Sequence, residues 1–194
     1  MADEKIAKKQ IIIGLVGLPG AGKTSVAKIL ANEGFMILTL SFFIKEEIKR
    51  VGLKITRESL QDTGDFLRKT KRADILAGLA LKLIKKKQIK KAVIDGIRNL
   101  NEIKRLKKEK NFYLMGVSAN PDIRYKRLLK SNKYNSIKNW PEFVYYELRE
   151  NTGISNETGQ QSMLCYLNAN YFIDNNTNLK DLRRKIEKIL KDII

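Results

Sequence analysis

An α/β fold, a parallel sheet of five strands with helices on both faces, is what this sequence predicts, and three observations carry the prediction. Short apolar runs, too brief for helices, recur at residues 11–16, 35–40, 92–97, 112–119 and 171–174. Segments with apolar residues at helical spacing stand between them, and such alternation calls for parallel strands joined by right-handed crossover helices. The third observation is length: 194 residues suit one domain with a proper core and leave little room for a second.

Each element has its own local signal. IIIGLV at 11–16 suits a strand buried on both faces. Residues 24–33 follow with Val26, Ala27 and Leu30 at helical spacing, and Gly34 stops that helix. FMILTL at 35–40 reads as a second buried strand. A helix from Ser41 to about Val51 places Ile44, Ile48 and Val51 on one face, with Gly52 ending it. Thr56 can cap a further helix in which Leu60 and Leu67 face inward. Residues 73–86 form a strongly apolar helix that ends in lysines.

The run from Ala92 to Ile97 is the third strand. Asn99 followed by Glu102 has capping-box spacing, with Asn in place of Ser or Thr, and opens a helix carrying Leu100, Ile103 and Leu106. FYLMGVSA at 112–119 is the fourth strand, and Asn120-Pro121 reads as N-cap and first residue of a helix to about Lys130. Residues 131–140 are polar and read as a mobile loop. Pro141 opens another helix to about Glu150, and a second polar loop spans 151–161. YFID at 171–174 is the fifth strand, followed by a helix with Leu179, Leu182, Ile186 and Ile189 on one face.

Composition narrows the chemistry. The chain has no histidine, which removes His-based acid–base catalysis. Its single cysteine, Cys165, can form no internal disulfide and is too little for a zinc site. The opening MADEKIAKKQ lacks the apolar stretch of a secretory signal, and no run reaches the length that spans a bilayer, so a cytoplasmic setting is expected. Net charge is +18. Lysines such as Lys82, Lys85, Lys86 and Lys87 fall on the outer side of apparent amphipathic helices without interleaved aromatics. That pattern reads as a solvated face, with any nucleic-acid binding non-specific.

The motif that carries chemistry is Gly17-Leu18-Pro19-Gly20-Ala21-Gly22-Lys23-Thr24, a match to G-x-x-x-x-G-K-[ST]. It stands between a predicted strand and a predicted helix, the context the motif needs. Its glycines let backbone N–H groups turn inward around phosphates, and the following helix N-terminus favours an anion. Lys23 is placed for the β- and γ-phosphates of ATP or another NTP, and Thr24 offers a hydroxyl to Mg²⁺. Val93-Ile94-Asp95 ends an apolar run in a carboxylate, so Asp95 is the second candidate for Mg²⁺, or for orienting an acceptor. Gly96 lets a substrate approach the backbone, and Arg98 emerges at the strand end, placed to fork onto a phosphate.

Taken together, the phosphate loop, Ser41-Phe42-Phe43-Ile44-Lys45-Glu46-Glu47 and Asp95-Gly96-Ile97-Arg98 resemble the P-loop nucleoside and deoxynucleoside monophosphate kinase superfamily. The nearer likeness is to dephospho-CoA-kinase-like proteins and to the kinase-like N-terminal domain of deoxycytidylate-deaminase-related proteins. It extends through Gly64-Asp65-Phe66-Leu67-Arg68, Asn120-Pro121-Asp122-Ile123-Arg124-Tyr125-Lys126-Arg127-Leu128 and Ala169-Asn170-Tyr171-Phe172-Ile173-Asp174-Asn175. The resemblance implies a three-layer P-loop NTPase fold over the whole chain, with acceptor-binding helices at about 41–88 and a lid at about 130–161. It implies a donor site from Gly17 through Ser25 that includes Arg124. Ser41, Lys45, Arg68 and Arg98 would hold the acceptor, and Arg127 and Arg149 would neutralise the transferred phosphoryl beside Lys23.

The expected activity is transfer of a γ-phosphoryl from ATP, with Mg²⁺, to a small phosphorylated acceptor, a nucleoside or deoxynucleoside monophosphate. Alternatives left open are a dephospho-CoA-kinase-like activity, a nucleotide-binding regulatory module with little turnover, and an ATPase stimulated by nucleic acid.

Overall fold

The five apolar runs pair as one parallel sheet in the computed structural model, which describes residues 10–131, 137–150 and 158–194. The strands are β1 (Ile11–Val16), β2 (Met36–Thr39), β3 (Lys91–Asp95), β4 (Phe112–Ser118) and β5 (Tyr171–Asp174), in the order β2-β3-β1-β4-β5. β1 is central: Ile13 aligns with Val93 on one side and Tyr113 on the other. A strand with neighbours on both edges and helices on both faces has no polar side, which is why its sequence is apolar throughout.

The helices are α1 (Lys23–Asn32), α2 (Leu40–Arg50), α3 (Arg57–Thr70), α4 (Ile75–Lys86), α5 (Leu100–Leu106), α6 (Pro121–Leu129), α7 (Trp140–Arg149), α8 (Ser162–Leu167) and α9 (Leu179–Ile193). Strand alternation splits the core in two. Ile11, Ile13 and Leu15 point to one face, where Val26 and Leu30 of α1 pack with Leu182, Ile186, Leu190 and Ile193 of α9. Ile12 and Val16 point to the other, against Leu40, Ile44 and Ile48 of α2, Leu76, Ala80 and Ile84 of α4, and Cys165 of α8. A third cluster, Leu128, Ile137, Phe143 and Tyr146, joins α6 to α7 beyond the sheet. Lys82, Lys85, Lys86 and Lys87 lie exposed along and just beyond α4, and no helix among the described residues is long and apolar enough to cross a membrane.

Caps follow the sequence. Thr56 and Ser59 form a reciprocal capping box at α3, and Asn99 and Glu102 form one at α5. Asn120 occupies the N-cap of α6, but its side chain takes the amide of Asn176 at 3.2 Å instead of a helix N–H.

Three expectations need correction. β2 is shorter than FMILTL, because Leu40 already begins α2, and it is not a buried strand: Met36 and Ile37 are 47% and 39% exposed. It forms the edge of the sheet, where helices cover a strand least. β3 stops at Asp95 rather than Ile97, since Gly96 turns the chain at φ 86°. α8 was not foreseen; six residues with no side-chain cap give little periodicity to read. Parts of the two expected polar loops, 132–136 and 151–157, lie outside the described residues.

Candidate active site

The phosphate loop leaves the carboxyl end of β1 and enters α1 at Lys23. Gly17, Gly20 and Gly22 all have positive φ, at 138°, 77° and 102°. All three also lack room for a side chain, and a Cβ on Gly20 would fall 2.7 Å from the Arg124 carbonyl oxygen. A Cβ on Gly17 would fall 2.1 Å from the Val117 carbonyl oxygen, and one on Gly22 would fall 2.1 Å from Nδ2 of Asn175. The loop is thus pressed against the ends of β4 and β5. Gly22 is the N-cap of α1 and supplies no side-chain acceptor, so the first turn keeps N–H groups for an anion. Lys23 folds back over the loop, its Nζ donating to the carbonyls of Gly17 at 2.6 Å and Leu18 at 3.2 Å. Pro19 and Ala21 are buried, Ser25 is half-buried, and Thr24 is exposed at the start of α1.

Two arginines on α6, three residues apart, divide the work. Arg127 reaches the loop: Nη1 lies 3.3 Å from the Gly20 carbonyl and 3.4 Å from that of Ala21, and Nη2 donates to the Asn175 carbonyl at 2.9 Å. Arg124 is buried and turned the other way. Its Nε donates to the Ala119 carbonyl at 2.9 Å, its Nη1 pairs with Glu147 of α7, and its guanidinium lies over the Phe143 ring. Burial pulls its pKa below the ordinary guanidinium value. Arg124 still borders a cavity of about 150 Å³ that Leu18, Ala21, Ser118, Met163 and Tyr166 also line.

At the exit of β3, Asp95 is half-buried and its Oδ1 accepts from the Gly96 N–H at 2.8 Å. Gly96 faces the start of α2, where a Cβ would lie 3.7 Å from the Leu40 nitrogen and 3.9 Å from that of Ser41. Ser41 therefore adjoins Gly96, Thr39 is in register with Asp95, and Lys45, one turn on, is exposed. Arg98 pairs through Nη1 with the buried carboxylate of Glu150 and donates to Oε1 of Gln160 at 3.1 Å. Arg68 is almost fully buried. Its Nε donates to Glu102 Oε1 at 3.1 Å and its Nη1 to Asp65 Oδ1 at 2.8 Å. Arg149 shares a small polar niche with Gln61, Asp65 and Gln160. Burial pushes the Asp65 carboxyl above its usual range, against the opposing pull of Arg68 and Arg149.

The structure therefore brings Lys23 and Arg127 to the loop, and Gly96 to Ser41. It sets Arg68, Arg98 and Arg149 among carboxylates and amides beyond β3, and Arg124 against α7. Among the described residues no group of three or more Cys, Asp or Glu can hold a metal ion by itself. A Mg²⁺ at Thr24 and Asp95 would take its other ligands from phosphate oxygens and water, the donor set this cation uses beside a nucleotide. Sequence reasoning missed Asn175. It is buried, takes the Ser118 carbonyl through its backbone N–H at 2.8 Å, and donates through Nδ2 to the Ala21 carbonyl at 2.8 Å. In the sequence it stood only as the last residue of the Ala169–Asn175 segment, with no role of its own.

Comparison with known proteins bears on the family and the fold. Residues 13–152 match the family described as AAA domain. A UPF0200 protein of Methanocaldococcus jannaschii is 30% identical over 188 residues, covering 95% of this chain and 91% of its own. One from Staphylothermus marinus is 30% identical over 187 residues, covering 96% and 94%. Among solved structures, TT1252 from Thermus thermophilus superposes with a TM-score of 0.59 at 20% identity, over 96% of this chain and 100% of that one. Shikimate kinase from Acinetobacter baumannii gives 0.60 at 16% identity, over 95% of each. These two likenesses are of fold, and it is the P-loop kinase fold that the sequence led us to expect. By the match over most of its length and by its relatives, the chain belongs to the AAA domain family and to the UPF0200 proteins.

Proposed function

We propose that the protein is an ATP- and Mg²⁺-dependent phosphotransferase that moves the γ-phosphoryl to a small phosphorylated acceptor, a nucleoside or deoxynucleoside monophosphate. One observation carries the reading: Lys23 of α1 and Arg127 of α6 converge on the same glycine loop from different helices. Lys23 donates to carbonyls of the loop, and Arg127 to carbonyls of the loop and of Asn175. Phosphate oxygens entering the loop are better acceptors and draw both groups onto them. Charge spread over the transferred phosphoryl then meets donors already in place. Thr24 and Asp95 are the residues that would hold Mg²⁺, which would offset the charge of the phosphates. Lys45, Arg98 and Arg149 supply positive charge on the acceptor side. An acceptor phosphate needs no strong general base, in keeping with a chain that has no histidine.

A second reading draws on the ion pairs beyond β3. Arg98 and Arg68 are engaged by Glu150 and Glu102. If those pairs persist with ligand bound, the protein holds nucleotide without turnover, as a regulatory module.

The test is ADP formation with ATP and a panel of nucleoside monophosphates, deoxynucleoside monophosphates and dephospho-CoA. The phosphotransferase reading expects acceptor-dependent turnover that Lys23→Ala lowers by roughly 100-fold or more, with far-UV circular dichroism unchanged. Tight ATP binding with no acceptor-dependent turnover selects the regulatory module instead.

A further inference from the structure

Exposed basic residues on several helices of this molecule carry their own counterions. Lys49 and Arg50 at the end of α2 pair with Glu46 and Glu47, Arg72 beyond α3 pairs with Asp74, and Arg184 and Lys185 of α9 pair with Asp181. The ends of α4 and α5 are different. Residues 82–91 and 104–110 hold eleven lysines and arginines, and none of these forms an ion pair with a described residue. Three acids stand in the same stretch of chain. Asp95 sits at the far end of β3, Glu102 is buried against Arg68, and Glu109 alone remains beside the lysines. Basic residues in a helix's last turn offset its dipole, which accounts for Lys85 and Lys86 of α4 and for Lys104 and Arg105 of α5. Lys90, Lys108 and Lys110 lie beyond the helices and are exposed, so the dipoles do not account for them.

Topology gathers the two groups on one edge. α4 packs against α5, and both end at the amino-terminal edge of the sheet, where β3 and β4 begin. The N–H groups of Ile11 and Ile12 donate to the carbonyls of Lys90 at 2.8 Å and Asn111 at 3.0 Å. The chain at Lys90 and the chain at Asn111 therefore flank β1, two strand spacings or about 10 Å apart. β1 is six residues long, which puts about 20 Å between this edge and the phosphate loop. Salt screens a charge over about 10 Å, so these lysines do not serve the nucleotide cleft.

The chemistry of the edge selects a partner. One small anion engages two or three lysines, whereas an array this wide suits a polymer of anions. Among the described residues no exposed large apolar side chain falls between Phe66 and Leu129. The edge thus has nothing to bury in a bilayer and no ring on which the bases of a single strand could stack. A double helix asks for neither. It turns its bases inward and presents one phosphate charge per about 1.7 Å of its axis.

We propose that the edge formed by the ends of α4 and α5 is a docking surface for the phosphate backbone of a nucleic-acid duplex, held by charge and without regard to sequence. It lies at the opposite end of the sheet from the glycine loop, so a docked molecule keeps its nucleotide site open.

The test is fluorescence anisotropy on the full chain with labelled duplexes of about 20 base pairs and scrambled sequence, DNA and RNA in separate arms. The wild-type chain is expected to bind at 50 mM salt and to lose about 100- to 1000-fold in affinity by 200 mM, the fall that about four to six phosphate contacts give. Replacing Lys86, Lys90, Lys108 and Lys110 together by Gln should weaken binding at 50 mM salt by about 100-fold and flatten the salt slope by about 3–4. Replacing Lys69, Lys126, Lys130 and Lys180 by Gln removes the same charge from other elements and should leave affinity within about 3-fold of wild type. All eight side chains are exposed, so both variants keep the wild-type melting temperature. Binding to either duplex that only the first variant loses supports the proposal. It is overturned if neither duplex binds at 50 mM salt or if the two variants lose binding equally. It is also overturned if a single-stranded oligonucleotide, polyglutamate or a phosphatidylserine vesicle binds more tightly than both duplexes.

Discussion

Arg68 and Glu102 form an ion pair shut away from solvent: Nε lies 3.1 Å from Oε1, and the two side chains are 2% and 0% exposed. The pair ties α3, on the acceptor side, to the first turn of α5. Glu102 uses its other oxygen to accept the N–H groups of Arg98, at 2.9 Å, and Asn99, at 3.2 Å. One carboxylate thus fixes both the acceptor helix and the turn that presents Arg98.

Removing one partner of such a pair leaves a buried charge without its counterion. Arg68→Met is therefore expected to destabilise the protein by about 3–5 kcal/mol. Adding Glu102→Gln should recover a large part, because the amide oxygen still caps α5 and carries no charge. Urea unfolding of the two variants beside the wild type measures both effects. A loss below about 1 kcal/mol in the single variant means that water reaches the pair.

The phosphate loop is held from the far side of the sheet by Asn175. Asn175→Ala removes the bond to the Ala21 carbonyl and should weaken ATP binding about 10-fold, with a stability loss of about 1–2 kcal/mol. Gly22→Ala attacks the same contact from the loop side, since its methyl group would meet Nδ2 of Asn175 at 2.1 Å. Calorimetry with ATP compares the two. Wild-type affinity in Asn175→Ala would mean that the loop holds its own shape.

Arg98 has a structural partner and a proposed ligand, and the two can be separated. Arg98→Ala strands Glu150, whose side chain is 1% exposed, and should cost about 2–3 kcal/mol of stability. It should also lower efficiency toward the acceptor by about 30-fold or more, with ATP affinity nearly unchanged. Arg98→Ala combined with Glu150→Gln is expected to restore stability but not acceptor use. Separate titrations of ATP and acceptor decide the matter; weakened ATP binding with normal acceptor binding would move Arg98 to the donor.

Cys165 tests the packing of α8. It is fully buried, and burial pushes its thiol far above the usual range, with Glu102 adding to the shift. The thiolate is the reactive form, so the native protein should resist Ellman's reagent at pH 8 and react in denaturant. Rapid reaction of the native protein would show that α8 opens away from β4.

What the sequence reveals and conceals follows from distance along the chain. The loop from Gly17 to Thr24 and the box from Asn99 to Glu102 are local, so their spacing was enough. The strands are apolar runs and were found as such, yet nothing in FMILTL says that it forms the edge of the sheet. Arg124 and Arg127 look equivalent at i, i+3, but Glu147, supplied by another helix, separates their roles. The Glu102 partner of Arg68 likewise sits on another element, and the bond from Asn175 to Ala21 spans 154 positions. A residue whose role is set by a partner that far off has no local pattern to betray it.

That span has a consequence for the chain as it is made. The glycine loop leaves the ribosome early, but Val117, Arg124 and Asn175, against which it is shaped, follow much later. At a synthesis rate of about 5–20 residues per second, the interval is on the order of ten seconds. In its first half, until Lys91–Asp95 has been made, the IIIGLV strand has neither of its neighbours, β3 and β4. A nucleotide offered to the growing chain finds no finished cradle until residue 175 has emerged and docked. It stabilises completed molecules and gives no help to nascent ones.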